Sequence, residues 1–173
     1  MNKKGDHLIL IGMSGTGKTT LGEALSASMN LPFIDTDQEI EKKTGSSIID
    51  IFREDGESKF RSYESGILNQ LFEFPRSVIA VGGGLPCHNN QMELLLNMGD
   101  VIYLKTSVNV LVTRLNNNID LRPLYSKLNH EEIIKKTEEL IETRAREYNR
   151  ADLVIHADCS LDENVKQILQ KLE

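Results

Sequence analysis

Leu8-Ile9-Leu10-Ile11 runs straight into Gly12-Met13-Ser14-Gly15-Thr16-Gly17-Lys18-Thr19, which satisfies G-x-x-x-x-G-K-[ST], and a helical pattern follows from Thr20. This string calls for a strand before it and a helix after it. Its glycines let backbone N–H groups turn inward as an anion nest, and the helix N-terminus adds roughly half a positive charge. Gly12, Ser14, Gly15, Thr16, Gly17 and Thr20 then belong to an ATP-contacting stretch. Lys18 meets the β- and γ-phosphates, and Thr19 offers its hydroxyl to Mg2+.

Four more apolar runs resemble the first: Pro32-Phe33-Ile34, Val78-Ile79-Ala80-Val81, Val101-Ile102-Tyr103-Leu104 and Leu153-Val154-Ile155. They are too short for helices and continuous rather than alternating, as expected of parallel strands buried on both faces. Between them lie apolar stripes at helical spacing, through Leu21, Leu25 and Met29; Phe60, Ile67, Leu68 and Leu71; Ile133, Ile134, Leu140 and Ile141; and Leu161, Val165, Ile168 and Leu172. Alternating strands and helices predict an α/β three-layer sandwich around a five-stranded parallel sheet, with ligands at the carboxyl ends of the strands. Two segments break the pattern. Asp35 to Gly56 is weakly periodic with Gly45 and Gly56 as breaks, while Leu115 to Asn129, with Asn116-Asn117-Asn118 and Pro123, reads as a lid or a plain surface excursion.

The chain's 173 residues suit one domain, with a core over 7–114 and 130–173, a substrate-binding region over about 36–64 and a lid over about 115–129. With 20 Lys and Arg against 26 Asp and Glu, the net charge of −6 argues against a general nucleic-acid or anionic-membrane binder. No apolar run approaches the ~20 residues of a membrane helix, so a soluble cytoplasmic protein, and a monomer, is expected. Cys87 and Cys159 lack CxxC spacing and fit reduced thiols. His7, His88, His130 and His156 have no metal-ligand spacing and read as structural or solvent-facing.

Of the strands, only the second ends in acids, Asp35-Thr36-Asp37. In an extended segment both carboxylates share one side, Asp35 toward Mg2+ through water and Asp37 toward an acceptor hydroxyl as orienter or base; the alternative is a helix N-cap. In Phe60-Arg61-Ser62-Tyr63-Glu64, the i, i+3 spacing lets Glu64 orient Arg61 toward an anionic substrate, unless the two form a solvated surface pair. Arg144 falls on the stripe of Leu140 and Ile141 that faces the protein, where a guanidinium needs either a bound anion or an internal salt bridge. Gly82-Gly83-Gly84 closes the third strand at the ligand edge and lets backbone approach a small molecule, or else forms a plain turn. Arg114 and Arg122 flank or lie in the lid segment, where closure brings a cation onto a phosphoryl group.

The phosphate loop, Asp35-Thr36-Asp37, Phe60 to Glu64, Gly82 to Gly84, Arg122-Pro123-Leu124 and Arg144 to Tyr148, in this order and spacing, resemble the shikimate kinase family along nearly the whole chain. The resemblance implies a nucleoside-monophosphate-kinase-like fold with strand order 2-3-1-4-5 and MgATP-dependent phosphorylation of the 3-hydroxyl of shikimate, in chorismate and aromatic amino acid biosynthesis. It implies Lys18 on the transferring phosphate, Thr19 and Asp35 at magnesium, and Asp37 on the acceptor hydroxyl. Arg61 and Arg144 take the carboxylate, Glu64 orients Arg61, Gly82, Gly83 and Gly84 line the pocket, and Arg114 and Arg122 act on the nucleotide side. Two rivals remain open at this point: a kinase of another small metabolite, such as gluconate or a nucleotide, and a nucleotide-binding switch that has no acceptor.

Overall fold

The run from Leu8 to Ile11 becomes the centre of a sheet. The computed structural model describes residues 6–117, 124–125 and 128–172. In chain order the elements are β1 (His7–Ile11), α1 (Lys18–Met29), β2 (Phe33–Asp35), α2 (Thr36–Thr44), α3 (Ile48–Glu54), α4 (Gly56–Leu71), β3 (Val78–Ala80), α5 (Gln91–Met98), β4 (Gly99–Lys105), α6 (Val108–Asn116), α7 (His130–Tyr148), β5 (Leu153–His156) and α8 (Leu161–Leu172). The strands are ordered β2-β3-β1-β4-β5 and every pair is parallel, with Ile9 opposite Ile79 on one side and Val101 on the other. Fold class and strand order are those expected.

Alternation along β1 divides the interior. Leu8 and Leu10 join Leu21, Leu25 and Ile168 beneath α1 and α8, whereas Ile9 and Ile11 join Ile40, Phe60, Leu68, Met92 and Tyr148 on the opposite face. A continuous apolar run is what a strand needs when both its faces are covered. A third cluster, of Val112, Leu115, Tyr125 and Ile133, ties α6 to α7.

The weakly periodic segment after β2 folds into α2 and α3, separated by Gly45 at φ 70° and followed by Gly56 at φ 80°. Like α2 and α3, the helices α5 and α6 carried no expectation; both are short, and little more than two turns leave only a few apolar residues to reveal a period. The lid expected over 115–129 begins inside α6, whose last residue is Asn116, and its residues 118–123, 126 and 127 lie outside the described ones. Cys87 and Cys159 are free thiols. His7 is buried and its Nδ1 accepts the Ser77 N–H at 3.2 Å, a structural role. Among the described residues no helix is long and apolar enough to cross a membrane.

Candidate active site

The loop Gly12 to Gly17 leaves β1 at the carboxyl edge of the sheet and turns into α1. Gly12, Gly15 and Gly17 have φ of 148°, 87° and 89°, values that favour glycine. Gly17 is the N-cap of α1, no side chain caps that helix, and its first turn carries no acid. Its leading N–H groups and dipole are therefore left for an anion. Lys18 Nζ donates to the carbonyls of Gly12 and Met13, each at 2.9 Å, which holds the ammonium over the loop. Arg114, near the end of α6, donates to Thr16 O at 3.1 Å and Gly15 O at 3.4 Å and so braces the loop from outside. Ser14, Gly15, Gly17, Lys18, Thr19, Thr20 and Arg114 line a cavity of about 300 Å3. Gly12 and Thr16 stand behind that surface. A Cβ on Gly12 would meet Leu104 O at 2.9 Å, and Thr16 is buried.

Asp35 ends β2 and caps α2. Its Oδ1 accepts the Asp37 and Gln38 N–H groups, and its Oδ2 accepts the Thr19 hydroxyl at 2.7 Å. The N-cap weighed for this acid is thus present on one oxygen, while the other faces the Thr19 hydroxyl. The helix begins at Thr36, so Asp35 and Asp37 are not members of one extended segment as expected; they straddle the strand end and the first helical turn and still line the same cavities. A hydroxyl beside a single carboxylate, with no cluster of three His, Cys, Asp or Glu among the described residues, is a donor set that fits Mg2+, which keeps several waters and shares phosphate oxygens.

A second cavity, of about 460 Å3, lies against α2, α3, α4 and α7. Asp37, Arg61, Glu64, Gly82, Gly83, Gly84 and Arg144 line it, together with an apolar wall of Ile48, Ile49, Phe52, Phe60, Leu124 and Leu140. The Phe52 and Phe60 rings pack 4.8 Å apart. Arg61 donates to Glu64 Oε2 at 2.7 Å and to Glu57 Oε1 at 2.8 Å. Glu64 is fully buried, and its Oε1 has no hydrogen-bond partner among the described residues. Burial, opposed by Arg61 and aided by Asp37, pushes its carboxyl up to about 7. For Arg61 burial works against the charge, but Glu64 and Glu57 outweigh it and raise its pKa.

Arg144 is buried, and no carboxylate among the described residues lies within salt-bridge distance of it; Nη1 rests 3.6 Å from Met13 Sδ. With no carboxylate partner among the described residues, this buried guanidinium is suited to an outside anion. One turn on, the buried Tyr148 donates its hydroxyl to Gly83 O at 2.5 Å, and burial raises the phenol's pKa. Thr36, buried between the two aspartates, accepts the Gly82 N–H at 3.1 Å. Neither support was foreseen. Thr36 could have been read as the odd member of Asp35-Thr36-Asp37, but nothing in the sequence marks Tyr148 as the support of Gly83. The apolar wall from α3 was also missed, since α3 itself was. Arg122 lies outside the described residues.

Ser14, Thr19, Asp35, Asp37, Gly82 and Gly83 line both cavities, so the cradle of the phosphate loop and the pocket lined by Arg61 and Arg144 share one wall. A family model described as Shikimate kinase matches residues 14–173. The chain belongs to the shikimate kinase family. It is 40% identical over 172 residues to a shikimate kinase of Chlorobaculum tepidum, covering 96% of this chain and 90% of that one. Its fold is similar to a crystal structure of shikimate kinase from Bacteroides thetaiotaomicron, with TM-score 0.90 and 31% identity over 96% and 98% of the two chains. It is equally similar to shikimate kinase from Acinetobacter baumannii in complex with shikimate, with TM-score 0.90 and 33% identity over 97% and 93%. The activity is ATP-dependent phosphorylation of shikimate in aromatic amino acid biosynthesis, with Mg2+ as cofactor.

Proposed function

We propose that the larger cavity takes shikimate and the smaller one the ATP phosphates, so that transfer to the 3-hydroxyl occurs across the wall they share. That shared wall is the observation carrying the assignment, because an in-line transfer needs donor and acceptor held face to face. Arg144 and Arg61 take the carboxylate of shikimate, and Glu64 holds Arg61 in place. Asp37 accepts the hydrogen bond of the acceptor hydroxyl and takes its proton as the new P–O bond forms and the bond from the γ-phosphorus to the bridging oxygen breaks, with ADP leaving. Lys18 and the N–H groups at the start of α1 meet the charge that grows on the transferring group. Thr19 and Asp35 hold Mg2+, Asp35 through water; when bound, the metal neutralises phosphate charge and orients it. Arg114 fixes the loop beneath the nucleotide, and Arg122 is assigned to the transferring phosphoryl group on its place in the sequence alone.

We further propose a single domain acting as a cytoplasmic monomer. The free thiols Cys87 and Cys159 support a reducing compartment. The test of the site assignment is a pair of substitutions. Lys18→Ala is expected to abolish turnover, and Arg144→Ala to weaken shikimate binding by about 10- to 100-fold while leaving ATP affinity nearly intact. Equal loss of both affinities in a folded Arg144→Ala protein would contradict the division between the cavities.

A further inference from the structure

The guanidinium of Arg61 is engaged twice before any substrate arrives. Nη1 is bound to Glu64 Oε2 at 2.7 Å and Nη2 to Glu57 Oε1 at 2.8 Å. The two acids are not equivalent. The Glu64 side chain is 0% exposed, so parting it from Arg61 would strand a buried carboxylate, whereas the Glu57 side chain, in the first turn of α4, is 54% exposed and can be taken up by water. Backbone crowds the same two nitrogens on another side, since a Cβ on Gly84 would lie 2.8 Å from Nη1 and 2.9 Å from Nη2.

A third carboxylate brought onto this guanidinium would gather three negative charges around one positive one, and the acid that can leave at least cost is Glu57. Glu57 is also more than a surface partner of Arg61. Its carboxyl lies below its ordinary pKa, first through its hydrogen bond to Arg61, against an opposing effect of burial, and further through the field of Arg61 and the smaller ones of His88 and Arg144.

We propose that Glu57 is a built-in competitor for Arg61, a carboxylate of the chain that occupies Nη2 until the carboxylate of an acceptor displaces it. This rests on the assignment of Arg61 to the acceptor carboxylate and adds a specificity element to it. An anionic acceptor trades its own charge for that of Glu57, and a neutral polyol has nothing to trade. Arg61 is thereby kept paired when the pocket is empty, and the pocket discriminates by charge as well as by shape.

Calorimetric binding of shikimate and of its carboxamide to the wild-type protein and to Glu57→Gln tests the proposal. The wild type is expected to prefer the carboxylate. Glu57→Gln is expected to bind shikimate roughly two- to fivefold more tightly and the carboxamide unchanged, because only the charged ligand competes with Glu57. Unaltered MgATP affinity reports that the variant is folded. Unchanged or weaker shikimate binding by Glu57→Gln, or equal tightening toward both ligands, overturns the competitor role. A wild-type protein that binds carboxylate and carboxamide alike overturns instead the underlying assignment of Arg61.

Discussion

A methyl group on Gly82 would lie 2.8 Å from Glu64 Oε1 and 2.9 Å from Asp37 Oδ1, one on Gly84 would press on both terminal nitrogens of Arg61, and one on Gly83 would meet Gly12 O at 3.1 Å and Ser14 N at 3.2 Å. Three consecutive residues thus touch three different parts of the site, and their substitutions separate those parts. Gly84→Ala is expected to raise KM for shikimate by about tenfold or more with KM for ATP little changed, since the displaced group is the guanidinium proposed to take the acceptor carboxylate. Gly83→Ala is expected to impair both substrates, because its new atom meets backbone of the phosphate loop and backbone cannot step aside. Steady-state kinetics in both substrates checks the pair; the same pattern from the two variants would contradict this reading. Glu64 supplies a pH test. Its folded pKa of about 7 lies above the ordinary value of 4.5, so the folded chain binds more protons than the unfolded one between those values, and stability falls as pH rises from 4.5 to about 7. Thermal melts should show the Glu64→Gln protein gaining on the wild type across that window and holding a constant margin above it. A margin independent of pH would contradict the raised pKa.

At the scale of elements, α7 brings Arg144 and Tyr148 one turn apart, so that a single helix presents a buried guanidinium to the larger cavity and supports the backbone of Gly83. Tyr148→Phe takes the donor from a partly buried carbonyl, and a loss of about 0.5 to 1.5 kcal/mol is expected in urea unfolding, with lowered turnover as Gly83 shifts against the phosphate loop. A variant as stable and active as the wild type would show that this hydrogen bond is not needed. How far elements were legible in the sequence follows from what covers them. The inner strands could be read because burial on both faces leaves Val78-Ile79-Ala80 or Leu8-Ile9-Leu10-Ile11 with no polar residue, and the partly buried edge strands β2 and β5 still carry short apolar runs. α2 and α3 could not, being short and half-exposed over a pocket that is itself part polar, and Asp37 was accordingly placed in extended chain although it lies in a helix. The site's charged residues could be read because a guanidinium on an apolar stripe or a pair of acids at a strand end violates burial rules visible in the sequence alone. Tyr148 and Glu57 could not, and Thr36 was marked only as the odd member between two acids. Their importance lies in contacts with distant backbone, or with a neighbour that looks like any surface ion pair.

For the whole molecule, the sheet order places β1 between β3 and β4, and the phosphate loop after β1 therefore stands beside the glycine triplet after β3 and next to the acids after β2. The two cavities meet where these three strand ends converge, at a position set by the topology before any side chain is considered. A nucleotide-binding switch would need the first cavity alone, and a kinase of a neutral polyol would gain nothing from two arginines in the second. The most direct measurement is ADP production by the purified protein with MgATP, offered shikimate, gluconate, CMP or no acceptor in parallel. Turnover with shikimate alone is the predicted result. ATP binding by a folded protein without turnover on shikimate, or preferred turnover on gluconate or CMP, would contradict the account and would require Arg61 and Arg144 to be assigned to another ligand.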